Sequence, residues 1–158
     1  MQARINYVKV APGAYKAMSG LEEYVDASGL EAQLLHLIKM RASQINGCAY
    51  CIDMHSKDLR AIGETEQRIY SLDAWRECPY YTDRERAALA WTEAVTLITS
   101  GHVPDQVYEE AKAQFSEKEL ADLTLAVAAI NAWNRLAIAG RAVPGAYQPA
   151  KHAELQRA

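Results

Sequence analysis

The sequence predicts an all-α fold, a compact bundle of several helices, on three observations. Alanine is abundant, phenylalanine occurs once, and no alternating apolar and polar run has the length of a strand. Three Ser/Thr-x-x-Glu signatures of helix starts recur along the chain. Away from the two ends, proline falls only at Pro79 and Pro104, where helices break or begin.

The elements follow in order from these signals. Ser28 with Glu31 has capping-box spacing and predicts a helix start. That helix carries Leu30, Leu34, Leu37, Ile38 and Ile45 on broadly one face, and Asn46-Gly47 ends it with residues that favour the left-handed conformation. A second helix runs from about Cys48 to Ile62, where Gly63 stops it. A short helix over Glu66 to Arg76 comes next. Thr82 with Glu85 opens another, through Leu89, Ala90 and Val95 toward Thr99. Pro104-Asp105 starts a helix to about Gln114. Ser116 with Glu119 opens the last, which runs to roughly Ala139, where Gly140 closes it. Its leucines, valine and isoleucines are flanked by alanines on nearly every side, and a helix apolar all round is buried in a large core or against another subunit. The stretch from Arg141 to Ala158 reads as an arm or a short closing helix.

Composition bounds the function. The 158 residues amount to about one domain, 1–158. With 17 basic and 20 acidic residues the formal net charge is −3, so the chain has no bulk electrostatic pull on nucleic acid. The N-terminus lacks the apolar core of a secretory signal, and no apolar run approaches the ~18 residues of a membrane span. A cytoplasmic location is expected, and in that reducing compartment the three cysteines are no disulfide scaffold. Cys78, standing alone before Pro79, reads as a small buried hydrophobe.

Cys48 and Cys51 are different, because His55 follows them. Positions 48, 51 and 55 share one side of a helix, and Cys51 and His55 form an i, i+4 pair. Both cysteines fall in a first turn, where free N–H groups favour an anion and lower a thiol pKa from ~8.5 toward about 3.5–7.5. Three readings of this spacing stand open: a dithiol redox pair that passes through a sulfenic acid to a disulfide, a zinc site built from Cys48, Cys51, His55 and His36, and two helix-start cysteines that merely face the core. Haem attachment is excluded, since Ile52 follows the second cysteine. His36 lies off the leucine stripe, near Met40, Ser43 and Gly47, on a face that solvent would cover. Arg41 and Asn46 are expected to hold the helix–turn–helix corner. Asn131 and Asn134 are expected to be hydrogen-bonded core groups, and Trp91 and Trp133 core or interface anchors. Tyr50, Asp53 and Ser56 read as packing, surface and capping residues.

The run Leu35-His36-Leu37-Ile38-Lys39-Met40-Arg41-Ala42-Ser43-Gln44-Ile45-Asn46-Gly47-Cys48-Ala49-Tyr50-Cys51-Ile52-Asp53-Met54-His55-Ser56 resembles the core of the AhpD-like alkylhydroperoxidases of the carboxymuconolactone decarboxylase family. Ala90-Trp91-Thr92-Glu93-Ala94, Val103-Pro104-Asp105 and Asn131-Ala132-Trp133-Asn134-Arg135-Leu136 are similar to it as well, so the match spans about 30–142. The resemblance implies an all-helical fold assembled as a trimer or hexamer through its apolar helices. It implies a thiol peroxidase that reduces hydrogen peroxide or alkyl hydroperoxides with no metal or flavin cofactor, and that is restored by an external dithiol. In the family's redox members the second cysteine attacks and the first resolves, which here implies Cys51 and Cys48, with His55 relaying the proton. The family's terminal base is a glutamate twelve positions before the first cysteine; here that position is His36. Either His36 serves as the base or another carboxylate, such as Glu93, fills the role. The residue between the cysteines that is histidine in some members is Tyr50 here. The alternatives are a lyase resembling the family's decarboxylating branch and a zinc-bound or redox-sensing protein without catalysis.

Overall fold

Local signals account for most of the helices in the computed structural model, which describes residues 2–149. The α-helices are α1 (Tyr7–Val10), α2 (Pro12–Asp26), α3 (Ala32–Asn46), α4 (Ala49–Ala61), α5 (Glu66–Ser71), α6 (Asp83–Thr96), α7 (Asp105–Lys112) and α8 (Glu117–Gly140). Two 3₁₀ turns, Leu72–Ala74 and Ile98–Ser100, extend α5 and α6. No strand occurs among the described residues, so the fold is all-α as the sequence predicts.

Two of the three expected capping boxes form. Thr82 and Ser116 each accept the N–H of the glutamate three residues on, and Glu85 and Glu119 each reach back to the cap N–H. The third does not. Gly29 sits at φ 96°, a left-handed bend that no helix contains, so α3 begins beyond Glu31. Ser28 Oγ instead accepts the N–H of Leu30 at 3.4 Å, and Glu31 pairs with Arg84 across to α6. The helix expected over Glu66 to Arg76 changes to a 3₁₀ turn at Leu72, and that expected to reach Thr99 ends at Thr96 and is followed by a 3₁₀ turn from Ile98.

α1 and α2 are not anticipated by the sequence reading; α1 is capped by Asn6, whose Oδ1 accepts the Lys9 N–H at 3.1 Å, and α2 has no side-chain cap. Pro12 starts α2 at a position where its missing N–H costs nothing. Met18, Leu21 and Val25 recur at helical spacing, but only Val25 is fully buried. Polar contacts complete the docking of α2. Trp133 Nε1 donates to Glu22 at 3.1 Å, Tyr24 donates to Asp122 at 2.9 Å, and the Tyr15 and Trp133 rings meet edge-on at 5.5 Å.

α3 is the central helix, packed against α4, α6 and α8. The single apolar stripe expected of it is broader in the fold: Leu34, Leu35, Leu37, Ile38, Met40 and Ala42 are all buried. One core, with Leu34, Leu35, Ile38, Trp91, Leu123 and Val127, lies on its α8 side; a second, with Leu37, Met40, Leu59, Leu72 and Leu89, lies on its α4 side. Each such leucine contributes roughly 1.5–3 kcal/mol by leaving water.

α8 is long and apolar enough to cross a membrane by length and composition, but its inward face belongs to the core of the bundle. Leu120, Leu123, Ala126, Val127, Ala129 and Ile130 are buried. The opposite face is open, with Leu125 at 40% and Ile138 at 47% exposure. The helix keeps Gly140 as its last residue and turns at Arg141, φ 52°. Gly140 is small for another reason: the N–H groups of Arg4 and Ile5 bond its carbonyl, and a Cβ there would lie 2.9 Å from the Tyr7 ring. Residues 141–149 form no helix, and the rest of the expected C-terminal arm, 150–158, lies outside the described residues.

Candidate active site at the start of the fourth helix

The α3–α4 corner is built by Gly47, whose φ of 68° reverses the chain, and is held by amides. Asn46 Nδ2 donates to Asn131 Oδ1 at 3.0 Å and Asn134 Oδ1 at 2.9 Å. Asn134 in turn donates to Ser43 Oγ at 3.0 Å, and Asn131 to Thr96 Oγ1 at 3.0 Å. The two α8 asparagines are therefore the hydrogen-bonded core groups expected, and Asn46 does hold the corner. Arg41 does not. It reaches away, to Glu93 on α6, to Gln44 and to Asp73, because its long side chain leaves α3 on the far face. Trp91 is a buried anchor whose Nε1 donates to Thr124.

Cys48 caps α4, with its Sγ accepting the N–H of Cys51 at 3.3 Å. The pair is joined as a disulfide with Cα atoms 5.4 Å apart, and the two residues are 1% and 2% exposed. Both sulfurs thus lie where the unpaired N–H groups of the helix start concentrate positive potential.

One turn on stands His55, 4% exposed. His36 of α3 faces it with ring centroids 5.8 Å apart, so the His36 face meets α4 rather than water. Between the rings lies a carboxylate the sequence reading did not single out. Asp58 Oδ2 is 3.6 Å from His55 Nδ1 and 3.9 Å from His36 Nδ1, and Tyr147 donates to Asp58 Oδ1 at 2.7 Å. Neither ring nitrogen of His55 nor Nδ1 of His36 has a hydrogen-bond partner.

Electrostatics follow from this enclosure. Burial pushes His55 below its ordinary value. Burial, then the neighbouring His55, lowers His36 to about 4. Burial works to raise Asp58, but the His55 imidazole, the Tyr147 hydroxyl and His36 outweigh it and hold the carboxyl below the usual range. Lys39, buried on α3, bears on both histidines and is itself paired with Glu22 and Asp26 of α2. At neutral pH the cluster is two uncharged imidazoles around one carboxylate.

Of the expected site residues, Cys48 and Cys51 adjoin at the start of α4, and His36 and His55 face each other across Asp58. Glu93, the carboxylate considered as relay base, is elsewhere. It accepts from Arg41 at 2.8 Å, from Trp75 Nε1 at 2.8 Å and from Arg76, with no hydrogen-bonding capacity turned to the histidines. Asp58 had a sequence signal, since it stands three residues after His55 and seven after Cys51 on the same face. Tyr147 had none, because its contact spans 89 residues. Asp53 does more than face solvent: its carboxylate accepts the Gly145 N–H at 3.0 Å and the Lys57 ammonium at 2.9 Å, fastening residues 145–147 along α4. Cys78 is a free, partly buried thiol at the edge of the α4-side core.

An all-helical bundle with a vicinal cysteine pair at a helix start and a histidine one turn on defines a class of dithiol protein. The profile of the carboxymuconolactone decarboxylase family matches residues 12–94. YdfG of Bacillus subtilis (strain 168), an uncharacterized protein, is 47% identical over 139 residues, covering 88% of this chain and 95% of its own. The crystal structure of ATU0492 from Agrobacterium tumefaciens, a protein of unknown function provisionally described as an antioxidant defence protein AhpD, superposes with a TM-score of 0.89 at 49% identity, covering 92% of this chain and all of that one. The debrominase Bmp8 shares the fold at 22% identity and a TM-score of 0.74, over 85% of this chain and 73% of its own. The chain belongs to the carboxymuconolactone decarboxylase family and is AhpD-like within it.

Proposed function

We propose that the protein is a thiol peroxidase that reduces hydrogen peroxide or alkyl hydroperoxides through the Cys48–Cys51 pair. The observation that carries this reading is a cysteine pair at the first turn of α4, followed one turn later by a buried, neutral histidine backed by a carboxylate. His55, kept uncharged by burial, accepts the Cys51 thiol proton, and the Asp58 carboxylate stabilises the imidazolium so formed. The Cys51 thiolate attacks one peroxide oxygen. The S–O bond forms, the O–O bond breaks, and the departing oxygen leaves as water or alcohol with the proton held on His55. Cys48 then attacks the sulfur of the Cys51 sulfenic acid, closing the disulfide and releasing water. Two electrons pass from the thiols to the peroxide, and an external dithiol returns them. His36, neutral above about pH 4, stands at the position of the family's relay base and shares the Asp58 carboxylate with His55.

The same reading extends to assembly and location. The open face of α8, with Ala121, Leu125 and Ala128, is an apolar stripe that a second copy of the chain covers, giving a homo-oligomer of the trimer or hexamer kind. A reducing compartment such as the cytoplasm sustains the dithiol cycle. The decarboxylating lyase alternative makes no use of a cysteine pair, so the pair weighs against it.

The test is stopped-flow peroxide consumption with thiol counting. Wild type should lose two thiols per peroxide. Cys48→Ser should complete one turnover and hold a sulfenic acid, and Cys51→Ser should consume none. Peroxide consumption that persists in Cys51→Ser overturns the assignment.

A further inference from the structure

Among the described residues, His36, His55 and Asp58 are the one group of three metal-ligating side chains whose donor atoms all lie within 4.8 Å of one another. The three come from two rigid elements, His55 and Asp58 at i, i+3 on α4 and His36 on α3. Two neighbouring ligands on a tetrahedral zinc, at bonds of about 2.0–2.1 Å, are roughly 3.4 Å apart. The gaps from Asp58 Oδ2 to the two Nδ1 atoms, 3.6 and 3.9 Å, are only a few tenths wider than that, and too long for hydrogen bonds.

The second observation is independent of spacing. Nδ1 of His36 and both nitrogens of His55 are buried without a partner, and a buried polar nitrogen left unpaired is costly. Asp58 is already oriented as a ligand: Tyr147 holds Oδ1 and leaves Oδ2 to the rings. Such outer hydrogen bonds are the usual means of fixing a ligating carboxylate. Two imidazoles with one carboxylate suit zinc and its first-row neighbours rather than calcium or magnesium. Their single negative charge lowers the cost of bringing a dication into the bundle.

We propose that His36, His55 and Asp58 form a binding site for a zinc-like divalent cation, distinct in its ligands from the cysteine pair. A cation there occupies His55, so filling the site halts the thiol cycle; this consequence rests on the peroxidase reading, whereas the site itself does not.

The experiment uses the full chain carrying Cys48→Ser and Cys51→Ser, so that no thiolate of the pair ligates. Equilibrium dialysis against cobalt(II) and zinc should find one ion per chain. Bound cobalt should give visible ligand-field bands without thiolate-to-metal absorption in the near ultraviolet. Added singly to that background, His36→Gln and Asp58→Asn should each weaken binding by about tenfold or more, while His102→Gln, at an exposed turn, should leave it unchanged. Circular dichroism checks that each variant is folded. Binding that vanishes in the double serine chain, or that survives both His36→Gln and Asp58→Asn, overturns the site. In the wild-type chain, stoichiometric zinc should suppress peroxide-driven thiol loss, with recovery on chelation. Full thiol loss with zinc bound overturns the inhibitory consequence alone. Absence of thiol loss in metal-free protein overturns the peroxidase reading and leaves the binding result standing.

Discussion

Two carboxylates withdrawn from solvent flank the central helix α3, and their surroundings differ in one respect. Glu93, on α6, has both oxygens engaged by Arg41, Trp75 and Arg76. Asp58, on α4, has one oxygen engaged by Tyr147 and the other facing two imidazoles just beyond hydrogen-bond distance. Burial would raise Glu93, but its three donors hold it below the usual carboxylate range, so it is a fixed anion that ties α3 to α6. Asp58 retains unused accepting capacity beside groups able to exchange a proton. A buried carboxylate with all its partners serves the fold, and one with a vacancy next to a histidine serves chemistry.

That contrast can be broken by exchanging each acid for its amide. Asp58→Asn removes the charge that stabilises the His55 imidazolium. Peroxide turnover should fall about a hundredfold, the size of a general acid–base contribution, while the urea midpoint moves little. Glu93→Gln should do the reverse. Stability should drop by about 1–3 kcal/mol, because Arg41 loses the more enclosed of its two anions and keeps only the exposed Asp73, and turnover per folded molecule should stay within about twofold. Large turnover loss from Glu93→Gln with unchanged stability would erase the distinction between the two acids.

Acid titration sharpens the comparison at a smaller scale. An unfolded chain protonates its histidines near pH 6.5, whereas folded His36 stays neutral down to about 4. The unfolded state therefore binds the extra proton in that window. Stability should be complete above about pH 6.5 and decline as the pH falls toward 4. Urea unfolding between pH 7.5 and 5 should record this slope, and His36→Gln should flatten part of it. Asp58 titrates below the window and does not contribute there. The smallest effect belongs to Tyr147→Phe. It removes one hydrogen bond to Asp58, worth about 0.5–1.5 kcal/mol, and turnover should fall only a few-fold.

Local chemistry made much of this fold legible in the sequence. Thr82 and Ser116 mark their helices because a capping box lies within four residues and needs no tertiary contact. Ser28 misleads because Gly29 bends the chain inside the same four residues. α2 escaped because its stability is tertiary: Glu22, Tyr24 and Val25 act through α3 and α8, not through a cap or a wide apolar stripe. The cysteine pair and His55 were legible as spacing on one helix. Asp58 shared that spacing, but the resemblance drew attention to the position now held by His36. Its meaning depended on α3 lying alongside, which no local pattern states. Arg41 and Tyr147 act over gaps of 52 and 89 residues, beyond the reach of periodicity.

Lys39 gives the N-terminal helix a stake in the chemistry. Its buried ammonium lowers the proton affinity of both histidines, and Glu22 of α2 offsets it. Seating of α2 and protonation of the His36–His55 pair are therefore linked equilibria. Whatever loosens α2 makes the pair harder to protonate, and by reciprocity a proton on the pair tightens α2. A probe attached to α2 would thus report the charge of an active site to which that helix contributes no catalytic residue.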